Sequence, residues 1–155
     1  MEEKFMIRAV ELARKGMKAN RGGPFGCVIV KGGKIIAEGS NSVTSENDPT
    51  AHAEVVAIRK ACRELGTFQL AGCELYTSCE PCPMCLGAIY WTRPDRVFYA
   101  ATRSDAAKAG FDDDFIYKEL GLPPEERKIP MISLGKELAK ELFREWTEKD
   151  DKVDY

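Results

Sequence analysis

The stretch "CELYTSCEPCPMCLGAIYW", residues 73–91, decides the fold of this chain. Its opening, "CELYTS" (73–78), is strand-like and leads straight into a cluster of cysteines. Pro81 and Pro83 fit only the first turn of a helix, because proline lacks the N–H that a helix interior needs. The pattern therefore predicts a strand, a sharp entry, and a helix from near Cys82 to about Trp91. That helix is apolar all round and is expected to be central and buried.

The same alternation extends outward. Phe5, Ala9, Ala13 and Met17 recur every four residues, with Met6 and Val10 alongside, which predicts an amphipathic first helix ending near Gly16. "GCVIVKGGKIIAEG" places two β-branched runs about Gly32-Gly33 and predicts a hairpin. In "NDPTAHAEVVAIRKACRELG", Asp48 and Thr50 are capping types, Pro49 suits a helix start and Gly66 a stop. Val55, Ile58, Cys62 and Leu65 form its buried stripe. "RVFYAA" (96–101) reads as a fourth strand, "DDDFIYKEL" as a short helix and "KIPMISL" as a fifth strand. A last helix runs from Lys136 to Glu148, with Leu138, Leu142 and Trp146 on one face. The expected fold is a three-layer α/β/α domain, with a mixed five-stranded sheet and helices on both faces.

At 155 residues the chain has the length of one domain, read here as residues 1–155. Hydrophobic residues make up 44%, charged residues 31%, and the formal charge is -2, a balance that argues against a protein built chiefly to grip nucleic-acid backbone. "MEEKFMIRAV" does not read as a secretory signal, and the longest uncharged run, Pro81 to Thr92, is too short for a membrane span. A cytoplasmic location is expected. In a reducing compartment, six cysteines more often bind metal or react than cross-link. Cys27, Cys62 and Cys73, scattered through apolar segments, read as buried hydrophobes.

Cys82 and Cys85 stand three apart on a helix's first turn, where the helix end favours thiolate. His52 is the sole histidine and occupies the first turn of another helix, with Glu54 two residues on in "HAE". In a layered fold such helix starts gather at the carboxyl edge of the sheet. His52 and Glu54 converge only where first-turn side chains lean back beyond the helix end. His52, Cys82 and Cys85 form the nitrogen and sulfur mix that zinc prefers.

A closed structural site would recruit Cys79. Against this, Cys79 precedes Pro81 on the approach, Glu54 would have no role beside a sealed metal, and a domain of this size needs no metal staple. With water in the fourth position, two thiolates cancel the zinc charge and a base must help. Glu54 is that base, which equips the site to hydrolyse a C–N bond.

His52-Ala53-Glu54 with Pro81-Cys82-Pro83-Met84-Cys85 matches the H-x-E…P-C-x-x-C signature of zinc nucleobase deaminases. The chain resembles the cytidine-deaminase-like superfamily, and over nearly its whole length it is similar to the compact bacterial guanine deaminases. "GGPFG", "NDPTAHAEV", "LYTSCEPCPMCLGAIYW" and "AGFDDDFIYKE" carry that likeness. The resemblance implies one zinc ion per subunit, attack of activated water on C2 of guanine, and release of ammonia to leave xanthine, with Glu54 moving the protons. It also implies that Asn41 reads the base and that Phe25 and Trp91 line or stack on the purine. Asp113 would lie near the purine amine as acceptor and second proton carrier. The bland readings remain open: a turn residue for Asn41, ordinary core for Phe25 and Trp91, and a solvated helix start for the three aspartates.

"EKDDKVDY" reads as a solvated tail, whereas the resemblance makes residues 149–155 a lid that brings Tyr155 over an active site, its own or a partner subunit's. A homodimer with an exchanged C-terminal segment is the implied assembly. Two other functions stay in play: a tRNA adenosine deaminase, which the acidic balance, "FDDDF" and the aromatic terminus argue against but Arg21, Arg93, Arg96 and Arg103 keep alive, and a non-catalytic zinc module.

Overall fold

β1 (Gly26–Lys31) is buried without interruption from Gly26 to Val30, which requires cover on both faces. The computed structural model, which describes Glu2–Tyr155, supplies it. α1 (Glu3–Lys18) covers one face, where Phe5 packs with Val28, Val30 and Tyr76. α3 (Ala53–Leu65) covers the other, where Ala53, Ala57, Ile58 and Ala61 pack with Cys27, Ile29 and Leu75. α1 runs past Gly16, which is buried inside the helix rather than ending it.

Among the described residues the sheet has four strands in the order β2-β1-β3-β4. β2 (Lys34–Ser40) and β3 (Cys73–Cys79) run antiparallel to β1, and β4 (Arg96–Ala101) runs parallel to β3. The hairpin turns at Gly32 and Gly33, with φ of 55° and 75°. α2 (Val43–Glu46) follows β2, α4 (Pro83–Thr92) follows β3, and α5 (Arg103–Lys108) follows β4.

Two compact units divide the chain, one up to Asp114 and one over Phe115–Tyr155. The first holds the whole sheet. The second holds most of α6 (Asp114–Leu120), a 3-10 turn over Pro124–Glu126, and α7 (Lys136–Glu148).

The expected fifth strand does not form. Residues 128–134 take no regular structure, and Ile129, Ile132 and Leu134 are exposed. Pro130 removes a ladder donor, and no strand lies within that unit to pair with. α3 begins later than expected: His52 is its N-cap, while Asp48 Oδ1 accepts from the Thr50 N–H and hydroxyl in a turn ahead of it. α4 is not buried all round. Cys85, Ile89 and Thr92 face inward, but Leu86, Tyr90 and Trp91 are exposed, since a helix on the outer layer has only one face against its neighbours.

One close approach sets the height of the site. A Cβ on Gly39 of β2 would lie 2.2 Å from the Ala53 carbonyl oxygen and 2.8 Å from Ala57 N. Glycine there lets the first turn of α3 lie directly on the sheet.

Candidate active site

The functional side chains meet at one edge of the sheet, as the helix starts imply. His52 and Cys82 are the N-caps of α3 and α4, both with extended backbone (φ −67°, ψ 154° and φ −68°, ψ 169°). Each therefore points off its helix end rather than along the helix. His52 Nδ1 lies 3.5 Å from Cys82 Sγ and 3.5 Å from Cys85 Sγ. A tetrahedral zinc with bonds of about 2.0–2.3 Å sets nitrogen–sulfur edges of about 3.6 Å, so the donors already stand at zinc spacing. Among the described residues these three form the metal-binding group. Cys79 is not part of it; its Sγ donates toward the Thr102 carbonyl at 3.7 Å.

The Cys82 and Cys85 thiols are hydrogen-bonded to each other. The Cys85 hydrogen bond pushes the Cys82 thiol down to about 4, with His52 contributing. The same bond and burial push Cys85 up. His52 is raised, chiefly by its hydrogen bond to Cys82. A divalent cation held there would take both sulfurs as thiolates.

Glu54, in the first turn of α3, is 6% exposed, and burial raises its pKa. Its Oε1 accepts from the Thr77 hydroxyl at 3.0 Å, and its Oε2 accepts from the Cys85 thiol at 3.4 Å. The carboxylate thus sits beside the ligand set without belonging to it.

These groups open onto a cavity of about 410 Å³, with Phe25, Asn41, His52, Glu54, Cys82 and Asp113 in its wall. Asn41 Oδ1 accepts from the N–H groups of Gly23 and Val43, both at 3.2 Å. With its oxygen occupied, the amide has its Nδ2 donor left to offer the cavity. A Cβ on Gly22 would lie 2.0 Å from that oxygen, so the loop before β1 fits Asn41 only as glycine.

Phe25 meets Phe111 edge-on, with ring centroids 4.9 Å apart. In "FDDDF" the three acids part company. Asp112 and Asp113 both reach the cavity wall, but Asp112 Oδ1 accepts from Asp114 N at the start of α6, while the Asp113 carboxyl is raised chiefly by burial. Trp91, nine residues beyond Cys82 and about 13 Å along the helix, is exposed and is not among the residues of this wall. Tyr155 belongs to the second unit and is exposed.

Sequence reasoning missed two contributors: Thr77 looks like an ordinary strand residue and Phe111 looks like core. Cys79, set aside there as a ligand, is a wall residue whose thiol burial pushes up to about 11. Of the arginines that favoured RNA, Arg96 pairs with Glu74 at 2.6 Å and Arg103 with Glu80 at 3.4 Å. Among the described residues no helix is long and apolar enough to cross a membrane.

A layered mixed sheet that sets one imidazole and two thiolates at zinc spacing, with a buried carboxylate alongside, defines a zinc-dependent hydrolytic deaminase. Residues 1–101 match the cytidine and deoxycytidylate deaminase zinc-binding region, and the chain belongs to that family. It is 62% identical to guanine deaminase of Bacillus subtilis (strain 168), over 99% of this chain and 98% of that one. The crystal structure of guanine deaminase from Bacillus subtilis superposes with a TM-score of 0.98 at 61% identity, covering 100% of this chain and 99% of that one. Likeness to the tRNA-specific adenosine deaminase of the same organism is 40% and spans 64% of this chain and 62% of that one.

Proposed function

We propose that the protein hydrolyses guanine to xanthine and ammonia, with residues 1–155 acting as one zinc-dependent deaminase domain. The observation that carries this reading is the pairing of a donor and an acceptor across one cavity, Asn41 Nδ2 and the Asp113 carboxylate. Guanine's N1–H and 2-amino group are adjacent donors suited to Asp113, and its ring and carbonyl acceptors suit Asn41. Phe25 offers an apolar face for the flat base.

His52, Cys82 and Cys85 would hold the zinc, which would supply the Lewis acidity that makes water nucleophilic. Glu54 takes the water's first proton and passes it to the ring nitrogen beside C2, then carries the remaining hydroxyl proton to the amine, which leaves as ammonia as the C2–N bond breaks and the C2 carbonyl forms. Asp113 holds the amine in line and shares that last transfer. The cavity is small and largely apolar, which suits a free base better than a folded RNA.

The assembly we assign is a homodimer with an exchanged C-terminal segment. Leu86, Tyr90 and Trp91 on α4 and Leu138, Leu142 and Phe143 on α7 are all exposed, more apolar surface than a lone chain keeps in water. Tyr155 would then close a cavity as a lid. Six free thiols suit the cytoplasm.

Ammonia release from zinc-loaded protein, measured over guanine, adenine, cytosine, guanosine, cytidine and a tRNA anticodon stem-loop, tests the reading. Guanine is expected to be preferred. Preference for the stem-loop would replace it with tRNA editing. Silence on every substrate, at one zinc per chain, would leave a binding module.

A further inference from the structure

Thr77 lies in the middle of β3, opposite Cys27 on β1 and Tyr99 on β4, and is 1% exposed. Cys73 and Leu75, at alternate positions on the same strand, enter the core that Ala57 and Ile58 of α3 complete. A hydroxyl is out of keeping there. Valine would fill nearly the same volume and leave no polar group to satisfy. The Thr77 side chain makes one hydrogen bond among the described residues, the 3.0 Å donation to Glu54 Oε1.

The other oxygen of Glu54 is held differently. Oε2 accepts from the Cys85 thiol at 3.4 Å. As a zinc ligand Cys85 is a thiolate with no proton to give, so that bond disappears when the metal is bound. Apart from the glutamate's own backbone N–H, the hydroxyl on β3 is then what steadies the carboxylate.

We propose that Thr77 is a positioning residue for Glu54: by occupying Oε1 from the central strand, its hydroxyl aims Oε2 at the reacting atoms. The proposal rests on Glu54 being the proton carrier. The rest follows from rigidity. β3 is an inner strand of the sheet, paired on both sides, so a donor mounted on it moves little. A buried carboxylate held at one oxygen keeps a single orientation, and an error of about 1 Å in such a group costs on the order of 100-fold in rate.

Three variants test this in zinc-loaded protein. In Thr77→Val we expect kcat on guanine to fall about 10- to 100-fold. KM, zinc content and the dissociation constant for xanthine should stay within about twofold. Thr77→Ser, which restores the hydroxyl, should recover kcat to within about threefold of the parent.

A Thr77→Val enzyme with parental kcat would overturn the proposal. Loss of zinc in step with activity would also overturn it, since Thr77 would then be supporting the metal. Thr77→Ser as impaired as Thr77→Val would make the role one of packing. Glu54→Gln separates this from the underlying reading. If it is inactive while Thr77→Val is unimpaired, only the positioning role fails; if it turns over normally, the proton-carrier assignment fails as well.

Discussion

Asn41 carries an amide whose two ends have different work. Because its oxygen is tied to the N–H groups of Gly23 and Val43, only its nitrogen is left for the base contact proposed above, a choice that residue identity alone does not make. Asn41→Ala should raise KM for guanine at least tenfold and leave zinc content unchanged, as read by steady-state kinetics and metal analysis. Gly22→Ala should act in the same direction, because its methyl would displace the amide oxygen.

Glu54→Gln should lower kcat by about 10²- to 10⁴-fold, the usual worth of a positioned acid–base group. The metal ligands were legible from sequence because few arrangements of one His and two Cys serve anything but zinc. Asp113 was legible only as one of three; Asp112 also reaches the cavity wall, with its Oδ1 taken up by Asp114 N at the start of α6. Thr77 was invisible, since threonine in a strand is ordinary.

Among the elements, α3 matters most, because it brings both His52 and Glu54. Gly39→Ala would thrust a methyl into the Ala53 carbonyl at 2.2 Å and lift the first turn of the helix. We expect a destabilisation of about 1–3 kcal/mol by chemical denaturation, together with weaker zinc binding.

On the other face, Arg8 of α1 grips Glu38 of β2 at 2.7 and 2.9 Å, and this hydrogen bond lowers the glutamate pKa. A carboxylate lowered on folding binds its proton more readily in the unfolded chain. Its contribution is therefore complete above the unfolded value and lost as pH falls through the folded one. The Tm advantage of the parent over Glu38→Gln should hold at neutral pH and vanish in acid below the ordinary carboxylate range.

Periodicity revealed the long elements well. It failed where partner rather than pattern decides: "KIPMISL" has strand composition but nothing in its own unit to pair with, and an all-apolar α4 looks the same in sequence whether buried or half exposed. The short α5 was in fact signalled by the capping box of Thr102 and Asp105.

For the whole molecule, the core is apolar and extensive on both faces of the sheet, so the metal serves chemistry more than folding. Chelation should abolish turnover while far-UV circular dichroism keeps its native form, and zinc should restore activity. Deleting Val153–Tyr155 should cut guanine turnover without releasing zinc; unchanged kinetics would dismiss the lid.

The ligands and Glu54 come from α3, α4 and the bend between β3 and α4, whereas Phe25, Asn41, Phe111 and Asp113 come from loops at the rim. On the proposed reading, reactivity and taste for substrate are thus carried on separate pieces of chain. Rim loops can be lengthened, shortened or traded by descent with the hydrolytic machinery left intact, so one ancestral catalyst can serve many nitrogenous rings.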